Sequence, residues 1–210
     1  MNFRLPRLYP ITDTRLSGLS QAEQVRRMIA GGAKLIQLRE KHASPAEFYQ
    51  AAEKAIEIAH SEGVKIIIND RVDIALALKA DGVHLGQDDL PPAEARKVLG
   101  DKAIIGFSTH NMEQVRAALE LPVDYLAFGP VFTTTTKENP DPVTGLELLA
   151  LIRQALGDPP PKGLVAIGGI NETNFRDVFA AGANSAAIIS AVVSHPDSIS
   201  GRVKFFSASS

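Results

Sequence analysis

The sequence predicts an α/β protein of the (β/α)8 barrel (TIM barrel) class, with residues 1–210 in a single domain. Eight short runs rich in β-branched and apolar residues alternate with stretches of helical spacing, at roughly 25-residue intervals. The 210 residues suffice for one large α/β domain with one core. No G-x-G-x-x-G follows the first run, and an open doubly wound sheet would use fewer strands.

Taken in order, residues 7–12 form a short apolar run ending at Asp13, a first strand. Ser20, with Glu23 three residues on, starts a helix that Gly31 and Gly32 close, where a left-handed stop is cheap. Residues 34–38 are the second strand. Ser44 and Pro45 open the next helix, with Glu47 completing a capping box and Gly63 as the stop. Residues 65–90, KIIINDRVDIALALKADGVHLGQDDL, then read strand, helix, strand, with strands over 65–69 and 82–85 and helical spacing over 71–80. Helices over 91–99 and 112–119 alternate with strands over 103–107 and 124–128. Residues 129–141 hold four consecutive threonines, a lysine and two prolines, which predicts a long functional loop. A helix over 144–156, a strand over 163–167, a helix over 172–181 and a strand over 184–189 complete the alternation. Beyond residue 191, Pro196, Gly201 and many serines predict a short, frayed or missing eighth helix and an irregular tail from about 192.

Composition excludes several classes. Twenty-two Lys and Arg against 24 Asp and Glu leave a net charge of −2, which argues against bulk nucleic-acid binding. There is no cysteine, so disulfides, thiolate metal sites and a cysteine nucleophile are out, and a reducing compartment fits. MNFRLPRLYP lacks the apolar core of a signal segment, and no stretch of about 18 apolar residues could span a bilayer. A cytoplasmic protein with no membrane partner is expected, and homo-oligomerisation stays open.

Strand parity sorts the candidate site. Successive side chains alternate faces, so Leu35, Gln37, Arg39 and Lys41 share one face of the second strand while Ile36 and Leu38 share the other. The polar set must face the barrel mouth. Asn69 points inward by the same rule, Gly106 and Ser108 align on the fifth strand, and Gly129 ends the sixth, where a missing side chain leaves room for a ligand. Asp70 and Asp89 follow the C-terminal ends of their strands, the edge at which barrels bind ligands. Two cations, an amide and two carboxylates on one rim suit a metal-bound diphosphate: Arg and Lys meet phosphate oxygens and the acids hold Mg²⁺. The alternative is an ordinary charged rim, with Arg39 and Lys41 paired to Glu40, Asp70 or Asp89. Asp88 can simply favour the helix start at Pro91. His84 reads best as a hydrogen-bonded core residue, His110 suits a helix start, and His42, His60 and His195 show no metal-site spacing. Gly168 and Gly169 after the seventh strand, with Ile189 and Ser190 after the eighth, stand where barrels bind phosphate.

Several motifs then resemble the thiamine-phosphate synthase family over about residues 8–192: ITD near 11, QLREK at 37–41, INDRVDIALALKADGVHLGQDDL from 68, IGFSTH from 105, GPVFTTTTK from 129, AIGGI from 166 and ISA from 189. The resemblance implies a barrel that joins 4-amino-2-methyl-5-(diphosphooxymethyl)pyrimidine to 4-methyl-5-(2-phosphooxyethyl)thiazole, releasing diphosphate. It implies that Gln37 contacts the pyrimidine, that Arg39, Lys41, Asn69 and Lys137 hold its diphosphate, and that Asp70 and Asp89 bind Mg²⁺. Ser108 would touch the pyrimidine or the departing diphosphate, and Thr134, Thr136, Gly169, Ile189 and Ser190 would cradle the thiazole phosphate. The implied mechanism is dissociative: diphosphate leaves, the aminopyrimidine stabilises the methylene cation, the thiazole nitrogen captures it, and the threonine loop acts as a lid. Where the family carries prolines among the lid threonines, this chain has Thr133 and Thr135. The rival readings are a thiazole tautomerase, which needs no diphosphate-binding set, and a non-catalytic phosphate-binding barrel.

Overall fold

A computed structural model describes residues 3–134, 136 and 141–208. Eight parallel strands form one sheet: β1 (Leu8–Pro10), β2 (Leu35–Leu38), β3 (Lys65–Asn69), β4 (Gly82–Leu85), β5 (Ile104–Thr109), β6 (Tyr125–Phe128), β7 (Gly163–Ile167) and β8 (Ser185–Ile188). From β2 to β8 each strand pairs with its sequence neighbours, and β1 pairs with β8. The ring closes between β1 and β2 through a bridge from Ile11 to Gln37 and a 2.9 Å bond from the Thr12 N–H to the Gln37 carbonyl. The (β/α)8 barrel is therefore the observed architecture.

Alternation of side chains divides the core in two. Tyr9, Ile11, Leu35, Ile67, Ile104, Tyr125, Ala127, Val165 and Ala187 fill the barrel interior. Ile36, Leu38, Ile66 and Ile68 face outward and pack with the helices in a larger shell. Both sets are buried, which is why the strands read as continuous apolar runs. Among the described residues no helix is long and apolar enough to cross a membrane.

Side-chain caps set some of the helix starts. In α2 (Gln21–Ala30) the Ser20 side chain accepts the Glu23 N–H, and in α3 (Pro45–Ser61) Ser44 and Glu47 form the full capping box, worth about 1 kcal/mol. The other helices that follow strands are α4 (Val72–Ala77), α5 (Pro92–Leu99), α6 (Met112–Leu119), α7 (Gly145–Leu156) and α8 (Phe175–Ala180). The last is shorter than helical spacing suggested, because the Asn171 and Asn174 side chains tie residues 171–174 into a turn. At the N-terminal end an unforeseen helix, α1 (Thr14–Ser17), is a single turn, capped by Asp13 at the N–H groups of Arg15 and Leu16 and ended by Gly18 at φ 67°.

The C-terminal segment corrects the sequence expectation. The chain breaks as foreseen, into a four-residue α9 (Ser190–Val193) and a 3-10 turn (Pro196–Ser198), but residues beyond it form a ten-residue helix, α10 (Ile199–Ala208), where composition suggested an irregular tail. Ile199, Val203 and Phe206 are buried in the outer shell. Gly31 serves this contact: it is right-handed at φ −81°, so Gly32 at φ 97° makes the stop, and a Cβ at Gly31 would lie 2.6 Å from the Ser200 carbonyl oxygen.

Candidate active site

The C-terminal ends of the strands surround one cavity of about 500 Å³. Twelve of the thirteen residues singled out from the sequence line it: Gln37, Arg39, Lys41, Asn69, Asp70, Asp89, Ser108, Thr134, Thr136, Gly169, Ile189 and Ser190. Lys137 lies outside the described residues.

On the charged side each cation has a carboxylate. Arg39 Nη1 donates to Asp13 Oδ2 at 2.9 Å, with both side chains largely buried, while the Arg39 backbone is held by Thr12 Oγ1 and Gln21 Nε2. Lys41 Nζ pairs with Asp70. Asp70 sits at φ 62°, a left-handed conformation, with its N–H bonded to the His84 carbonyl at 2.8 Å. That turn carries the chain sideways off β3, directly after Asn69. The Asn69 side chain is buried, and its Nδ2 has no hydrogen-bond partner among the described residues. An unpaired buried donor facing a polar cavity is costly, so it suits an oxygen-rich ligand.

Asp89 stands beside Asp70. Burial pushes its carboxyl above the ordinary carboxylate value, and the neighbouring Asp70 charge adds to the rise, while the Gly86 N–H donating to Oδ2 at 2.7 Å opposes it. Two adjacent carboxylates of which one resists ionisation form a place where positive charge is favoured. Among the described residues no group of three or more His, Asp or Glu gathers as a metal cluster. The pair offers two hard carboxylate oxygen donors on one rim.

The floor is polar and fully built. Gln37 Nε2 donates to the Tyr9 hydroxyl, and Ser108 Oγ bonds His84 Nε2 at 2.9 Å. The His84 expectation of a hydrogen-bonded core residue fits, since Nδ1 meets the Tyr125 hydroxyl and burial draws the imidazole down to about 4. Gly106 makes this possible, for a Cβ there would stand 2.1 Å from Tyr125 Cζ and 2.5 Å from His84 Nδ1. Gly106→Ala is expected to destabilise the fold by about 3 kcal/mol through overpacking. Urea unfolding reads this directly, and a loss below about 0.5 kcal/mol would mean the floor yields easily.

On the opposite side, Gly168 and Gly169 (φ 98° and 65°) lie against the loop after β6. Side chains there would strike Pro130 at 2.5 Å and the Thr133 carbonyl oxygen at 2.4 Å. The base of that loop continues along β7, with Val131 and Phe132 N–H groups bonded to the Ile167 and Gly168 carbonyls. Gly129 departs from expectation. Its missing side chain makes room for the neighbouring strand rather than for a ligand, because a Cβ would lie 2.1 Å from the Ile167 carbonyl oxygen.

Sequence reasoning missed Asp13 as the partner of Arg39, the tyrosines under the floor, and Gln87, which donates to the Ser108 carbonyl at 2.6 Å. Parity applied to β1 would have placed Tyr9, Ile11 and Asp13 on the inner face together. His110 does not begin a helix with its side chain; Nδ1 donates to the Gly129 carbonyl at 2.7 Å, and Asn111 caps α6 instead.

Known proteins share this fold. A family model described as thiamine monophosphate synthase matches residues 8–192. The chain is 47% identical over 191 residues to a thiamine-phosphate synthase of Syntrophomonas wolfei, covering 90% of each, and 46% identical to one of Chloroflexus aurantiacus, covering 91% of this chain and 87% of that protein. A solved thiamine phosphate pyrophosphorylase from Pyrococcus furiosus superposes with a TM-score of 0.83 at 36% identity, covering 95% of this chain and 93% of the other. With its barrel and nearly its whole length shared with these proteins, this chain belongs to the thiamine monophosphate synthase family.

Proposed function

We propose that the cavity joins 4-amino-2-methyl-5-(diphosphooxymethyl)pyrimidine to 4-methyl-5-(2-phosphooxyethyl)thiazole, giving thiamine phosphate and diphosphate. The chain is then a transferase acting on two phosphorylated small molecules. The observation that carries this reading is the meeting on one rim of Arg39, Lys41, the unpaired Asn69 amide and the Asp70–Asp89 pair. A thiazole tautomerase has no use for that set. The pyrimidine diphosphate lies along it, with Gln37 and Ser108 below the ring, and the thiazole phosphate lies against Gly169, Ile189 and Ser190, with Thr134 and Thr136 above.

Asp70 and Asp89 would hold Mg²⁺. When bound, the ion supplies charge neutralisation to the leaving diphosphate. Arg39 gives a fork of donors to phosphate oxygens, held in place by Asp13, and Asn69 donates a further hydrogen bond. The C–O bond to diphosphate breaks with its electron pair going to the leaving oxygen, and the thiazole nitrogen then attacks the methylene carbon. No protein nucleophile takes part. What the chain must supply is orientation and stabilisation of the leaving group's charge. A cytoplasmic location accompanies this reading and suits a sequence without cysteine.

The test is diphosphate release with both purified substrates, in Mg²⁺ and in chelator. Release that requires the metal and matches thiamine phosphate formation supports the assignment; a folded protein that binds thiazole phosphate without turnover favours a tautomerase or a binding barrel. Lys137, expected over the leaving group, gives a second check. Lys137→Ala should lower turnover by about 10²-fold by leaving diphosphate charge unmet, and unchanged turnover would remove that role.

A further inference from the structure

Beneath the cavity runs a line of hydrogen bonds that the proposed chemistry does not use. Gln37 Nε2 donates to the Tyr9 hydroxyl at 3.1 Å, and the Tyr9 and Tyr125 hydroxyls are 2.9 Å apart. The Tyr125 hydroxyl meets His84 Nδ1 at 3.1 Å, and His84 Nε2 meets Ser108 Oγ at 2.9 Å. Gln37 and Ser108, the two ends, line the cavity. Tyr9, Tyr125 and His84 between them are buried in the barrel interior.

With the Gln37 amide nitrogen turned toward Tyr9, full pairing of the line gives every bond one direction. An amide nitrogen only donates, so the Tyr9 hydroxyl accepts from Gln37. Its own proton then goes to Tyr125, its remaining partner among the described residues. The Tyr125 proton goes on to His84 Nδ1, which must be the bare nitrogen of a neutral ring, and the ring proton on Nε2 is donated to Ser108 Oγ. The Ser108 proton is left for an acceptor in the cavity, and the Gln37 Oε1 is left for a donor. Tyr9, Tyr125 and His84 are buried, and each polar side-chain atom between the two ends has a partner within the line.

We infer that Tyr9, Tyr125 and His84 are positioning residues that fix the hydrogen-bond polarity of the cavity floor, so that it accepts a 4-aminopyrimidine and rejects its 4-oxo counterpart. The amino ring carries an N–H donor beside a ring-nitrogen acceptor; the oxo ring carries a carbonyl acceptor beside a ring N–H donor. Resting on the reading of this cavity as a pyrimidine site, the floor pairs the first pattern through Gln37 Oε1 and the Ser108 proton, whereas the second pattern leaves both of those unpaired and must use the remaining Gln37 Nε2 hydrogen and the second Ser108 lone pair. Gly106 adds an independent sign that the line is built in, since a side chain there would overlap Tyr125 and His84 Nδ1. A site whose polar groups are left unpaired by the wrong ligand discriminates far more strongly than an apolar one.

The probes are two alcohols with no diphosphate to lose, 4-amino-5-hydroxymethyl-2-methylpyrimidine and its 4-oxo analogue, with their dissociation constants measured by calorimetry. They read binding without the difference in ring reactivity. The native protein should prefer the amino form by about 100-fold, and Tyr9→Phe and Tyr125→Phe should each cut that preference about tenfold or more. A merely structural role would weaken both probes alike and leave the ratio standing. Nitrogen-15 spectra of the native His84 ring at neutral pH give a readout independent of any variant's folding. A neutral ring protonated on Nε2 is expected. An unchanged ratio in both variants, or a proton on Nδ1, overturns the inference. Native protein that forms no thiamine phosphate, yet shows the ratio and the tautomer, would overturn the proposed reaction while leaving the polarity of the floor.

Discussion

Asp70→Asn should lower diphosphate release by about 10²- to 10³-fold and remove most of its dependence on Mg²⁺, while the fold stays as stable as before. The two halves of that expectation have separate causes. Asn keeps the size of the side chain and is the residue that best tolerates the left-handed backbone at φ 62°, so the turn off β3 and its 2.8 Å bond to the His84 carbonyl survive. What disappears is one negative charge. Lys41 loses its ion pair, but that side chain is nearly half exposed (44%), so the loss in stability is small. Asp89 gains, since the Asp70 charge that helps to raise its pKa is gone and its carboxyl ionises more readily. Metal affinity falls because one hard anionic donor of two is now a neutral amide. Diphosphate release across a Mg²⁺ titration, beside a thermal melt, checks both parts. Turnover within threefold of the native protein at every Mg²⁺ level would take Asp70 out of the metal's coordination.

The features that could be read from the sequence share a physical reason. Strand ends were legible because β3, β4 and β7 are short, mostly apolar runs bounded by Asn, Asp and Gly, and the observed bounds match the expected 65–69, 82–85 and 163–167. Inward placement of Gln37, Asn69 and Ser108 followed from the two-residue period, which a barrel strand buried on both faces cannot evade. What escaped was of two kinds. Single-turn α1 is too short to show a period and depends on the cap from Asp13 alone. Pairings across the barrel depend on geometry that one strand does not carry: Asp13 to Arg39 spans β1 to β2, and the Tyr9 and Tyr125 hydroxyls meet across the interior, 116 residues apart. Gly129 was misread for the same reason, its neighbour being the β7 backbone.

The tail offers the other large effect, on stability. Phe206→Ala should cost about 3–5 kcal/mol and lower the melting temperature by roughly 10 °C. Phe206 is fully buried, with its ring 4.9 Å from that of Phe175 between centroids, so truncation opens a cavity where α10 meets α8. The serines and Gly201 that suggested an irregular tail are the exposed or weakly packed side of a helix whose apolar positions 199, 203 and 206 recur at helical spacing. Its docking also reaches the site. Arg202 pairs with Glu172 and donates to the Ala191 carbonyl at 2.9 Å, so α10 steadies α9, which begins at Ser190. Well below the melting temperature the folded fraction stays near one, and turnover with saturating substrates should hold within about twofold. A loosened α9 should instead appear as a several-fold higher KM for the thiazole phosphate with little change for the pyrimidine diphosphate. A melting temperature within about 2 °C of the native value would mean that α10 does not dock in solution. Equal rises in both KM values would place its influence on the barrel as a whole rather than on the phosphate end.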